Sequence, residues 1–388
     1  MGKNSKDNLK LTTAELKKNR AFLCLECGKC TSVCPISKYN ENYSPRKMIA
    51  DGLFYGSDSL IDDELLWSCL TCKLCSQRCP VDVKYSELTR DYRAIAYKNG
   101  KNGNPTHSGV LQEIMEINSA VALNQNRTDW ITDDLKVSEK GDTLYFVGCL
   151  PYYEGLFAKE FEFSPNSIAV DTVKILNYLG IEPVVMDNER CCGHDLYWLG
   201  RLDKFDELGK LNREMIAETG AKRVVTACPE CALSLKQLYP ERLGGSNLEI
   251  THISEIVSEN FDKFSFKTVN STATFQDPCR LGRFLNIYDQ PRESIQKIPG
   301  VEFKEMAHNK RGAICCGTTN WTNCDITSKM IQQSRLDEAE ATGADTLITS
   351  CPKCQIHFRC TCHAENAKGT NLKMLDFVNF IASSIEDS

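Results

Sequence analysis

Through residues 1–100 the apolar positions recur at helical spacing and few β-branched alternations interrupt them, so this stretch reads as helical. Thr12 with Glu15 forms a capping box for the first helix. Ser44-Pro45 opens another with Gly52 as its stop, and Ser86 opens a third that ends at Asn99-Gly100. Residues 100–142 are polar and irregular, with Asn102-Gly103-Asn104-Pro105 as turn punctuation, and read as a linker. From residue 143 short apolar strands alternate with amphipathic helices. TLYFVGC (143–149) is a strand, SIAVDTVKILNYLG a helix closed by Gly180, and PVVM (183–186) the next strand. The order then repeats: ATFQDPC (273–279) matches the first strand, VEFKEM (301–306) matches PVVM, and residues 218–231 match 341–354 almost position by position. A period of about 123 to 130 residues is too long for a solenoid and means duplicated α/β domains, each built on a mainly parallel sheet. The expected fold class is α + α/β: an all-α domain (1–110), a linker (111–142) and two duplicated α/β domains (143–268 and 269–388).

Composition narrows the class. The chain has 388 residues, 41% hydrophobic and 25% charged, with a net charge of −6. It is long enough for two or three cores, and no apolar run approaches the roughly 20 residues of a membrane span. The negative balance disfavours a nucleic-acid partner. Residues 1–20 carry six Lys/Arg against two acids, a solvated arm. They contain no apolar stretch of signal-peptide type, so the expected location is cytoplasmic. Twenty-one cysteines under those conditions point to metal or cluster ligation rather than disulfides.

Eighteen of the cysteines form four ordered groups. Two are C-x2-C-x2-C-x3-C-P runs: Cys24, Cys27, Cys30, Cys34 with Pro35, and Cys69, Cys72, Cys75, Cys79 with Pro80. This run is a strong signal for [4Fe–4S] cubanes, and its fourth cysteine ordinarily serves the other cluster. The expected sets are therefore Cys24, Cys27, Cys30, Cys79 and Cys69, Cys72, Cys75, Cys34, making residues 1–110 a two-cluster, ferredoxin-like domain. Structural zinc in four-cysteine sites is the alternative. The other two groups are Cys149, Cys191, Cys192, Cys228, Cys231 and Cys279, Cys315, Cys316, Cys351, Cys354. Five thiols exceed what a zinc ion or a cubane takes, implying a larger cluster or a free nucleophile. Cys149, Cys228, Cys279 and Cys351 each follow a strand, so within each half the ligands should converge at the carboxyl ends of the sheet. Gly193 and Gly317 permit the tight path of the Cys-Cys-Gly turn.

The C-x41-CCG-x34-CPEC and C-x35-CCG-x33-CPKC arrangements, with Asp277-Pro278-Cys279, Leu281-Gly282-Arg283 and Pro291-Arg292, resemble the CCG domains of heterodisulfide reductase. The architecture resembles its D-type subunit or a fusion of its C and B subunits. The resemblance implies a noncubane [4Fe–4S] cluster in each five-cysteine set, with the mixed disulfide of coenzyme M and coenzyme B divided between them. It also implies anion-binding side chains at the crevice, for which Arg280 and Arg283, then Arg190, Lys310 and Arg311, are candidates. His194 is a candidate proton donor or hydrogen-bond partner of cluster sulfur, whereas His252 reads as structural. The sequence departs from relatives at Thr318-Thr319-Asn320-Trp321 and at Arg280. Cys324, Cys360 and Cys362 read as buried apolar thiols, and Trp67, Trp198 and Trp321 as water-excluding neighbours of the cysteines. With no Gly-rich dinucleotide fingerprint, electrons should come from a partner in a hetero-oligomeric complex: a flavin-containing electron-bifurcating subunit, or a membrane cytochrome b that would hold the chain at the membrane face. The alternative function is electron transfer within a quinone-linked glycolate, lactate or succinate dehydrogenase, or a sulfate-reduction complex.

Overall fold

The computed structural model describes residues 13–55, 58–365 and 367–386. The Thr12 capping box lies outside them. The chain divides into two compact units, one gathering residues up to Glu116 with His194–Phe205 and Ile314–Gln332, the other holding Ile117–Gly193, Asp206–Ala313 and Gln333 onward. Two excursions from the repeat thus fold with the N-terminal helices.

In the first unit the helix Pro45–Phe54 begins as its sequence implies, with Ser44 Oγ accepting from Lys47 N at 3.2 Å and proline in the first turn. Gly52 does not end it; the helix runs on to Phe54. A Cβ at Gly52 would come within 2.8 Å of Leu60 Cδ1 and 3.2 Å of the Tyr92 hydroxyl, so the glycine serves close packing rather than termination. The helix Tyr85–Lys98 closes at Asn99-Gly100 as expected. Its buried Arg93 donates to the carbonyls of Leu66 (3.0 Å), Trp67 (3.0 Å) and Cys69 (2.8 Å), fastening the second cysteine run to the helix. The stretch read as a linker contains one helix, Val110–Ile117, whose Leu111 and Met115 are buried.

The second unit holds two parallel sheets. The first has the order β1 (Thr143–Tyr145), β2 (Arg223–Thr226), β3 (Glu249–His252). The second comprises β4 (Ser271–Gln276), β5 (Val301–Phe303), β6 (Thr346–Thr349) and β7 (Lys373–Asp376), in the order β5-β4-β6-β7. Every pairing is parallel. Leu144, Tyr145, Val224, Val225, Leu347 and Ile348 are all buried, as parallel strands covered on both faces require. PVVM does not form the expected strand. Val184 makes only isolated bridges to Leu144 and Ser138, in the place beside β1 that β5 occupies beside β4. Pro183 has no N–H to extend a ladder, which accounts for the reduction.

One hydrophobic core runs through both sheets and includes Tyr145, Val225 and Ile253 from the first half with Phe275, Ile348 and Phe377 from the second. The covering helices are exchanged reciprocally. Asn166–Tyr178 packs on Phe377–Ser384, while its counterpart Asp289–Lys297 packs on Ile253–Glu259. Leu150–Phe161 likewise packs on Pro352–Cys362, and Pro229–Leu233 on the π-turn Arg280–Phe284. Such reciprocity is the mark of an approximate twofold axis between the halves. The α + α/β class stands.

Candidate metal centres

In the first unit Cys24, Cys27, Cys30 and Cys79 line one recess of ≈ 420 Å³, to which Cys75 also contributes. Cys34, Cys69, Cys72 and Cys75 line a second of ≈ 310 Å³. The fourth cysteine of each run therefore lies with the first three of the other. The backbone follows one path in both runs: Glu26 and Thr71, then Gly28 and Lys73, take left-handed conformations that turn the chain between successive thiols. Backbone N–H groups point at sulfur, from Thr71 to Cys69 Sγ at 3.3 Å and from Val83 to Cys79 Sγ at 3.4 Å. Burial pushes the Cys34 thiol up to about 12 and raises Cys30 and Cys75. Thiols so placed ionise only beside a cationic centre, and four around a recess fit a four-iron cluster.

The first five-cysteine set is gathered at the carboxyl ends of β1 and β2. Cys149 follows β1, Cys228 caps the turn after β2, and the 191–193 turn supplies the other pair. Cys149 Sγ and Cys191 Sγ are 3.9 Å apart. Neighbouring Cys149 and Cys192 raise the Cys191 thiol well above its ordinary range, and Cys192 and Cys228 do the same to Cys231. These interactions link all five thiols. Gly193 has φ 73°, with its N–H 3.3 Å from Cys191 Sγ. Gly148 has φ 70°, and a Cβ there would stand 2.8 Å from Cys231 Sγ. Five reduced thiols around a glycine-lined turn fit a cluster with more than four protein ligands. A carboxylate secures the turn: Glu189 accepts from Val147 N (2.9 Å) and Gly148 N (2.7 Å), and Arg127 lies 3.5 Å from it. Burial nevertheless pushes Glu189 up to about 7.

In the second half Cys279 follows β4, and Cys351 caps the helix Pro352–Cys362 after β6, the neighbouring strand. Cys315 and Cys316 belong to the 314–332 segment of the first unit, where Gly317 has φ 92° and a Cβ would meet Ser328 O at 2.9 Å. The unusual Thr318-Thr319-Asn320-Trp321 stretch is explained in the same unit. Asn320 and Trp321 adopt left-handed backbone, and the Trp321 carbonyl accepts from Thr106 N (2.8 Å), Thr106 Oγ1 (3.0 Å) and Gln112 Nε2 (2.7 Å).

His194 opens the short helix His194–Trp198, buried, with Nδ1 3.0 Å from Asp195 Oδ1. Arg280 is buried over the Phe284 ring at 4.6 Å, and buried Arg283 donates to the Ala313 carbonyl. Arg190 is 2% exposed; it donates through Nη2 to Leu123 O, while Nε and Nη1 make no hydrogen bond among the described residues. Lys310 and Arg311 are exposed, and the Lys310 ammonium is spent on Asp289 at 2.7 Å. His252 is structural: it caps Ile253–Glu259, its Nε2 lies 3.1 Å from Ala227 O, and burial lowers it to about 4. Trp67, Trp198 and Trp321 are buried. Cys324, Cys360 and Cys362 are half-exposed rather than buried, a correction that follows from their places at a loop and at the outer end of a helix. Two residues carry no motif signal yet stand at the centre: Glu230 and Lys353, the variable positions of the two CPxC turns, form a buried ion pair at 2.6 Å.

The family model for a cysteine-rich domain matches residues 143–236 and 273–359, and that for a 4Fe-4S dicluster domain matches 20–83. The chain is 30% identical over 364 residues, 86% of it and 87% of the relative, to the D subunit of dihydromethanophenazine:CoB–CoM heterodisulfide reductase from Methanosarcina acetivorans. It is 28% identical to the protein of the same name from Methanosarcina barkeri, over 98% of this chain and 97% of that one. In fold it is similar to a hypothetical protein from Helicobacter pylori (TM-score 0.53, 9% identity, covering 87% of this chain and 68% of that one).

Proposed function

Because the chain belongs to the CCG-domain iron–sulfur family and is an oxidoreductase subunit of it, we propose that it reduces a disulfide, of the coenzyme M–coenzyme B type, to two thiols. The reading rests on the five linked thiols of the first set, beside a buried arginine that has unengaged nitrogens. Cys24, Cys27, Cys30 and Cys79 would hold one cubane, and Cys69, Cys72, Cys75 and Cys34 the other. Cys149, Cys191, Cys192, Cys228 and Cys231, and by the repeat Cys279, Cys315, Cys316, Cys351 and Cys354, would hold the two noncubane clusters. When bound, such clusters supply electrons singly, whereas cleaving a disulfide to two thiols takes two electrons and two protons.

The chain's own groups divide the remaining work. Arg190 would bind an anionic end of the substrate through Nε and Nη1, and Arg280 and Arg283 would do so beside Cys279. His194, its ring fixed by Asp195, would hold a proton for a product sulfur. The buried tryptophans would keep water from the sulfurs. Electrons would arrive from a partner, either a flavin protein or a membrane cytochrome b; no helix among the described residues is long and apolar enough to cross a membrane itself. Anaerobic purification with iron analysis, and EPR after adding coenzyme M under oxidising conditions, tests the reading. A new thiol-dependent signal is expected. A spectrum unchanged by the thiol would leave an electron-transfer protein, and fewer than about 16 irons per chain would count against four four-iron clusters.

A further inference from the structure

Residues 218–231 and 341–354 match with a constant offset, so Glu230 and Lys353 are the same position of the repeat, one residue before Cys231 and Cys354. Contact between equivalent residues of two related halves occurs only on the axis that relates them. Lys353 Nζ lies 2.6 Å from Glu230 Oε2, with the lysine side chain 3% exposed and the glutamate 12%. The packing around them agrees: each CPxC helix lies against the helix that follows the lone cysteine of the opposite half. An exact duplicate would press two like charges together here, whereas this chain carries one of each sign.

We propose that the Glu230–Lys353 pair is a positioning latch on the pseudo-twofold axis, holding the two CPxC turns, and with them Cys228 and Cys231 of one half and Cys351 and Cys354 of the other, at one separation. Its effect is transmitted through the turns, because each charged residue sits between the two cysteines of its own CPxC motif. The latch requires clusters at both sites but no disulfide substrate, so it rests on the ligand assignment and not on the reaction.

The test uses the full chain, purified anaerobically, with E230Q, K353M and the exchange E230K/K353E. The readouts are iron content and the magnetic interaction between the two CCG clusters, measured by EPR with no thiol added. Each single variant leaves one buried charge without its partner, which should raise the unfolding equilibrium constant by about 100-fold or more. It should also weaken or broaden the cluster–cluster interaction, whereas the exchange variant restores both towards the parent. Single variants with the parent's magnetic interaction would overturn the latch. If the singles retain no iron, the exchange variant decides: recovered iron and coupling support the proposal, and an equal loss overturns it. A thiol titration that fails while the exchange restores coupling would refute only disulfide reduction.

Discussion

The two halves of the repeat tie the same two segments together with opposite polarity. In the first half the carboxylate lies just before the Cys-Cys-Gly turn: Glu189 accepts the N–H groups of Val147 and Gly148 at the end of β1. In the second it lies at the strand end: Asp277 Oδ2 accepts the N–H of Lys310 at 2.8 Å, on the segment leading to the turn. A buried arginine supports each acid, Arg127 in the first half and Arg292 in the second, the latter with both terminal nitrogens 2.7 Å from Asp277 and a further contact to Glu305. The requirement is therefore a carboxylate bridge between strand end and cysteine turn. The sequence is free to place the acid on either side.

Gly148 offers the sharpest way to break the likeness. Its counterpart is Pro278, which cannot take a positive φ, so a side chain at 148 is a burden that the second half does not share. Gly148→Ala would strain the backbone and drive a Cβ to 2.8 Å from Cys231 Sγ. The expected outcome is loss of the first-half cluster alone, about four of roughly sixteen irons, read by iron analysis with the EPR signals of the other clusters retained. Loss from both halves equally would mean that the sites assemble as one unit.

The bridging acids come next. Asp277→Ala leaves Arg292 with Glu305 and the Tyr288 carbonyl, removes its buried counter-charge and strips the Lys310 N–H of its acceptor, costing about 3–5 kcal/mol in chemical denaturation. Glu189→Gln keeps one acceptor and removes a charge that burial already disfavours, so about 1–2 kcal/mol is expected. The reverse order would refute the view that the second bridge is the stronger. Neither bridge was legible from the chain as a pair. The strands and the cysteines at their ends were, because apolar runs and motif spacing are local signals. Glu189 with Val147, or Glu230 with Lys353, meet only after the sheets have formed. The misread details have the same origin: Gly52 looks like a helix stop until Leu60 is packed on it, and PVVM looks like a strand apart from its proline.

The helix caps compare in pH. His252 and Asp376 hold matching places, each ending a strand and capping the next helix, and both are fully buried. Burial pulls His252 down to about 4 and pushes Asp376 up to about 8, so both prefer the uncharged form. The signs then oppose. For His252 the unfolded chain binds the extra proton, and stability rises with pH between about 4 and 6.5. For Asp376 the folded protein holds it, and stability falls from about 4 through 8. Above about pH 7, where His252 is neutral and Glu189 too has ionised, the Asp376 slope remains, at most about 1.4 kcal/mol between pH 7 and 8. Asp376→Asn keeps an acceptor for Val378 N, 2.9 Å away in the parent, and should abolish that slope in thermal or urea unfolding followed against pH. A slope that survives would place the proton elsewhere.

The smallest effect tests whether the halves are alike in their metals. Cys324, Cys360 and Cys362 all lie in the second half, which has eight cysteines to the first half's five. Were any of them a ligand, the second site would differ in kind. Their half-exposed positions, and the 3.6 Å approach of Thr318 Oγ1 to Cys324 Sγ, fit ordinary loop and helix-end packing instead. The three Cys→Ser variants should each keep the full iron content and unfold within about 0.5 kcal/mol of the parent. Loss of iron in any one of them would assign that thiol to a cluster and end the equivalence of the two sites.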